Sequence, residues 1–180
     1  MWRAELEVLE KSGDAKGAVL LLERNDISES ELYLRVLFLL LDWMVEGQYS
    51  ELERLFGYGK IQDIYSVAKL KFSDDSEFCF FCGIMIYWCE WCFGLDSVDA
   101  GTLMLDTAMR KEPDNILFKW GYISEINQRI DVNTRLKKEL SRQILFKEPQ
   151  AIKWLKSKGL LEEYVFGLLV GGYERLKNVN

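Results

Sequence analysis

The sequence predicts an all-α protein, and three of its features carry that prediction. The first is the run F-C-F-F-C-G-I-M-I-Y-W-C-E-W-C-F at 78–93, in which Glu90 is the one charged residue. It falls short of the ~20 apolar residues that span a bilayer. A helix that is hydrophobic nearly all round is normally buried, so this stretch reads as the central helix of the domain. The second feature is the scarcity of proline, two in 180 residues, which suits helices better than a loop-rich or sandwich fold. The third is periodicity: nowhere does strict alternation persist against the 3.6-residue pattern of a helix.

The elements follow in order. Residues 2–11 form a short amphipathic helix with Leu6 and Leu9 inward, closed at Gly13, and Asp14 caps a second helix reaching about Arg24. Ser28 and Glu31 have the spacing of a capping box and open a long Leu-rich helix at 29–46, ended by Gly47. A short helix at 50–56 is stopped by Gly57 and Gly59, and another runs over 60–72. The Ser73-Asp74-Asp75-Ser76 turn caps the central helix, and Gly94 ends it. Helices at 97–110, 115–129, 132–146, 150–158 and 160–177 complete the chain, the last interrupted at Gly171-Gly172. Most of the glycines read as helix ends. The expectation is one domain over 1–180, with about ten to eleven helices.

Charge is unevenly spread. Residues 1–106 hold 20 acidic and 9 basic side chains, a net of −11, and residues 107–180 hold 9 and 14, a net of +5. An acidic field favours a basic partner and steers its approach, and it disfavours general nucleic-acid binding. The basic segment 129–147 carries six cations, Arg129, Arg135, Lys137, Lys138, Arg142 and Lys147. Its one aromatic residue is Phe146, so bases find no stacking platform there. No apolar leader is present at the N-terminus and no run is long enough to span a membrane, so the expected location is the cytoplasm.

Internal similarity gives the organisation. Gly13 and Gly47 stand in similar contexts 34 residues apart, and M-R-K-E-P-D-N-I from Met109 resembles L-F-K-E-P-Q-A-I from Leu145, 36 residues on. Cys79, Cys82-Gly83 and Ile86, followed by Gly101, Leu105, Ala108, Pro113, Asp114 and Asn115, give a third unit. In these residues the chain resembles the tetratricopeptide-repeat family, whose unit is a 34-residue pair of antiparallel helices. The first helix of the third unit is about six residues too long for that pattern, and 60–72 lies outside the period. The resemblance implies an array of helix pairs and a role in protein–protein interaction.

Chemistry is sparse. The pairs Cys79-x2-Cys82 and Cys89-x2-Cys92 have the spacing of zinc knuckles. On one helix Cys79 and Cys92 would stand ~20 Å apart, however, and no turn residue lies between the pairs. They read as buried structural thiols, with no metal and no cofactor expected. The chain has no histidine, which removes the Ser-His and Cys-His pairs and the commonest general base. Neighbouring carboxylates such as Asp74-Asp75 and Glu162-Glu163 point apart on a helix. No phosphate-binding glycine loop is present, and an enzyme is not expected.

One stripe of the central helix stands out. Gly83, Tyr87 and Glu90 share a face, flanked by Trp91, and Asp42 and Glu46 on the preceding long helix can add charge to it. The sequence therefore points to stoichiometric binding of a basic protein at Asp42, Glu46, Gly83, Tyr87, Glu90 and Trp91. An immunity or antitoxin-type inhibitor of a toxin such as a nuclease fits the size and charge. A secretion chaperone or scaffold is the alternative, and a nucleic-acid-associated regulator acting through 129–147 is a second.

Overall fold

The computed structural model describes residues 2–24, 27–47, 49–126 and 130–174. Among them are ten α-helices, one 3-10 turn and no strand, so the all-α expectation holds. The helices are α1 (Trp2–Ser12), α2 (Ala15–Arg24), α3 (Ser30–Glu46), α4 (Glu51–Phe72), α5 (Ser76–Cys89), α6 (Asp99–Lys111), α7 (Ile116–Ile126), α8 (Ile130–Lys147), α9 (Pro149–Leu155) and α10 (Leu160–Glu174). The 3-10 turn, Glu90–Phe93, follows α5. Arg129 and Lys177, expected near helix ends, lie outside the described residues.

The centre is built on two helices rather than one. Residues 32–41 of α3 are buried without a break, as are residues 78–86 of α5. The two run in the same direction. At their starts Ser30 Oγ donates to Asp75 Oδ2 at 2.9 Å, and farther along the rings of Phe38 and Trp88 lie 5.8 Å apart. α10 returns to this centre, placing Tyr164 5.4 Å from Phe38 and stacked on Trp88 at 4.9 Å. In an open array of stacked pairs each unit touches its neighbours alone, whereas here the last long helix closes on the third.

Arg35, which bounds the apolar run of α3 in the sequence, lies inside the core at 2% exposure. Its Nε and Nη2 donate to the two carboxylate oxygens of Glu10 at 2.9 and 2.5 Å, and Nη1 donates to Glu31 at 3.2 Å. Burial opposes the guanidinium charge, but the bonds from Glu10 and Glu31 outweigh it and hold its pKa above the ordinary value. The turn at Gly159, φ +61°, sits over this pair; an added Cβ there would meet Arg35 Nη2 and both Glu10 oxygens at 2.7 Å.

Several expected boundaries are corrected. The helices expected at 50–56 and 60–72 are one, α4, which runs through Gly57 and Gly59. Gly57 does not end a helix; it makes room for Met44, whose Sδ would lie 2.1 Å from a Cβ. Gly171-Gly172 does not interrupt α10. Residues 78–93 are not one helix, because α5 ends at Cys89 and the chain tightens into the 3-10 turn. The Ser28–Glu31 box does not form: the N-cap of α3 is Glu29 without a side-chain bond, since Glu31 is held by Arg3 and Arg35. The same S-x-x-E spacing does form a capping box at Ser50 and Glu53.

The close approach of α5 and α6 explains two more glycines. A Cβ on Gly83 would meet Leu105 Cγ at 2.7 Å and the Gly101 carbonyl oxygen at 3.0 Å, and one on Gly101 would meet the Gly83 carbonyl oxygen at 3.0 Å. These are two of the positions on which the family resemblance rests. Gly13, Gly94 and Gly159 do mark turns, each with positive φ.

All four cysteines are buried free thiols. Burial, reinforced by Asp75, pushes Cys79 up to about 11, and burial pushes Cys82 higher still. Cys92 shifts the other way, lowered by its hydrogen bond with Cys89, but it is buried like the rest, so all four thiols are expected to stay silent toward a thiol-specific dye at pH 8 until denaturant is added. A rapid reaction in the folded state would contradict their burial.

Candidate functional site

The two ends of the α3–α5 pair differ in how their charges are matched. At the end where both helices begin, every named carboxylate has a partner. Arg3 bonds Glu29 and Glu31 at 2.7 and 3.1 Å, Arg35 holds Glu10, and Lys158 Nζ donates to Glu77 at 2.7 Å. Arg3, Glu29, Glu31, Asp75, Glu77 and Lys158 line a polar hollow of about 300 Å³. It is filled with internal pairs, so its charges serve the fold.

At the other end the carboxylates meet each other. Asp42 is half-buried in the last turns of α3, Glu46 follows one turn later, and Glu163 approaches from the first turn of α10. Burial raises the pKa of Asp42 above its ordinary value, and the charges of Glu46 and Glu163 add to the rise. Among the described residues none of the three has a Lys or Arg within salt-bridge distance.

The helix geometry sharpens this imbalance. The C-terminus of a helix carries partial negative charge and favours a cation. α1, α2, α4 and α6 follow that rule with Lys11, Arg24, Lys69 and Lys71, and Arg110 and Lys111 in their last turns. α3 and α5 have no basic residue there, and α3 has Glu46 instead. Beside the carboxylates stand Trp88 and Tyr164, stacked at an interplanar angle of 26° and both half-buried.

The six residues singled out from the sequence separate on this frame. Asp42 and Glu46 belong to the acidic end. Glu90, half-buried, and Trp91, 56% exposed, lie on the 3-10 turn at the end of α5, two and three residues beyond Trp88. Gly83 is no open notch, because Leu105 and Gly101 of α6 fill the space beside it. The Tyr87 hydroxyl is 2.7 Å from Thr102 Oγ1, so the ring is turned to α6 as well. The helix stripe read from the sequence is broken, because Glu90 lies beyond the end of α5 and Gly83 and Tyr87 face α6. Glu163, Trp88 and Tyr164 went unrecognised as site residues.

In the basic segment, α8 buries Leu140, Ser141 and Ile144 and leaves Arg135 and Arg142 exposed. Phe146 packs on Tyr173 at 5.4 Å. Among the described residues no three His, Cys, Asp or Glu side chains are grouped to hold a metal ion, and no helix is long and apolar enough to cross a membrane. Comparison of the chain with protein-family models, with curated proteins and with solved structures found no match.

Proposed function

We propose that the protein is a stoichiometric binding module for a basic protein, of the immunity or antitoxin type that neutralises a toxin such as a nuclease. It is read as a degenerate tetratricopeptide-like array, and the acidic end of α3 and α10 is its contact surface. One observation carries this reading: Asp42 is held in a place that disfavours its charge. A half-buried carboxylate beside two others, at the negative end of a helix, works against folding, and a cationic partner would relieve it. The stacked Trp88 and Tyr164 supply the aromatic area typical of binding hot spots. The net −11 of residues 1–106 gives long-range attraction, screened over about 8–10 Å at physiological salt.

The test separates fold from function. A carboxyl group whose folded pKa is raised contributes stability when protonated and loses it as pH rises through the folded pKa. Asp42→Asn removes that loss, so its melting temperature is expected to exceed the native one at pH 7. The two should converge at pH values below the ordinary carboxylate range. The same variant, and Glu90→Lys, are expected to weaken capture of the native partner by about 10-fold or more, with circular dichroism unchanged.

Affinity capture from the native host followed by mass spectrometry identifies that partner. A single basic protein, lost in both variants and weakened by salt, supports the reading. A set of secreted proteins favours a chaperone, and bound RNA or DNA favours a regulator; either result overturns the inhibitor assignment. Unfolding of Glu90→Lys would move Glu90 from the surface to the core.

A further inference from the structure

α4 is apolar on two sides, and only one of them is used. Gly57, Ile61, Ile64, Tyr65 and Ala68 are buried against the core. On the opposite face Leu52, Leu55, Phe56, Val67 and Leu70 are 79, 60, 38, 44 and 87% exposed. At 100° per residue these five, with Gly59, Asp63 and Ser66, fall in one stripe about 120° wide, and it runs about 27 Å along the helix. Nothing lies within 4 Å of a Cβ built on Gly59, so the middle of the stripe is open. Shallow grooves of about 460 and 530 Å³ between α2 and α4 border it, the first lined by Leu20 and Phe56 and the second by Ile64 and Val67. An apolar ridge of this length on a folded surface marks an interaction site.

We infer that the occupant of this ridge is the same ridge of a second copy, with the two α4 helices packed antiparallel about a twofold axis at the level of Ile61. In that register the two ends of the stripe match apolar to apolar, Phe56 lies opposite Ser66, and the Asp63 side chains flank the axis. Leu52 meets Leu70 of the second copy, Leu55 meets Val67, and Gly59 lies opposite Asp63, where its missing side chain lets the backbones approach. The charges on the borders also match. In an antiparallel pair each border of one helix faces the same border of the other. Glu51, in the first turn, then faces Lys69 in the last turn of the second copy. α4 has its acids, Glu51 and Glu53, at the start and its cations, Lys69 and Lys71, at the end. Parallel packing would set like charges together, so the charge pattern selects the antiparallel arrangement. A twofold pairing of one surface with itself is the commonest way soluble chains associate. The ridge does not include Asp42, Glu46 or Glu163, so a dimer presents two acidic ends.

Sedimentation equilibrium with the full chain tests this. The native protein is expected to move from 21.1 kDa toward twice that mass as concentration rises. Leu52→Glu combined with Leu70→Glu should hold it at the monomer mass. Glu51→Lys alone and Lys69→Glu alone should each weaken self-association by about 5- to 10-fold. Mixing those two variants should restore it, because both border contacts of the mixed pair again join a cation to a carboxylate. Two results overturn the proposal. One is a native protein that stays monomeric at roughly 0.1 mM, where an association of about 10 µM would leave most of the chain dimeric. The other is a mixture of the two variants that associates no better than each alone.

Discussion

Arg35→Ala is expected to lower the unfolding free energy by about 3–5 kcal/mol. The guanidinium and the Glu10 carboxylate are 2% and 5% exposed and bond through both carboxylate oxygens. Removing the cation leaves a buried carboxylate with nothing to compensate it, and that penalty exceeds the net worth of the pair. For a chain of this length the melting temperature should fall by about 10 °C or more. Replacing both partners, Glu10→Met with Arg35→Met, is expected to recover most of the loss, since a filled apolar site needs no counter-charge. Urea unfolding of the three variants checks the order. If Arg35→Ala costs less than about 1 kcal/mol, water reaches the pair and the core at that end is open.

The second large effect is expected at the crossing of α5 and α6. Gly83→Val and Gly101→Val each force a branched side chain against a backbone carbonyl and a fully buried neighbour, Leu105 or Ile86. Neither wall can move without shifting a helix, so a loss of about 3 kcal/mol or more is expected, at or beyond the upper end of ordinary overpacking. Gly167 and Gly171 in α10 provide the contrast. A Cβ at either meets nothing within 4 Å, so alanine there should raise stability by up to about 1 kcal/mol through helix propensity alone. Equal effects at Gly83 and Gly167 would mean that α5 and α6 are not in contact at the glycines.

That contrast explains what the sequence disclosed and what it did not. Helix existence was legible because the outer helices bury one face at the 3.6-residue period while α3 and α5 show long unbroken apolar runs, and Gly13, Gly94 and Gly159 ended helices as their free φ allows. Gly57, Gly83 and Gly101 look the same in the sequence but serve close packing, and only the neighbouring helix distinguishes the two uses. Glu31 was legible as a capping residue by its spacing from Ser28, yet two arginines from α1 and α3 claim it. The acidic end was half legible. Asp42 and Glu46 lie a turn apart on one helix, so their proximity was a local fact. Glu163 comes from the far end of the chain, and only the return of α10 to α3 brings it near. Gly83 and Tyr87 face α6 rather than solvent for one reason: helical spacing groups residues on a face without saying whether that face is free.

The turn at Gly159 that sits over Arg35 and Glu10 has a consequence for the order of assembly. A stacked array can begin folding at any unit and grow from it. Here the charged centre is finished only when α1, α3 and the 158–159 turn have met, and Lys158 reaches back 81 positions to Glu77. Until the ribosome has released that turn, Arg35 and Glu10 have no cover, and the emerging N-terminal helices gain little by burying them. The nascent chain must therefore hold its apolar α3 and α5 unfinished until that turn has been made, a long-range closure of the kind that slows folding. Once closed, neither end can fray without exposing the centre, so the chain should come apart in one step rather than unit by unit.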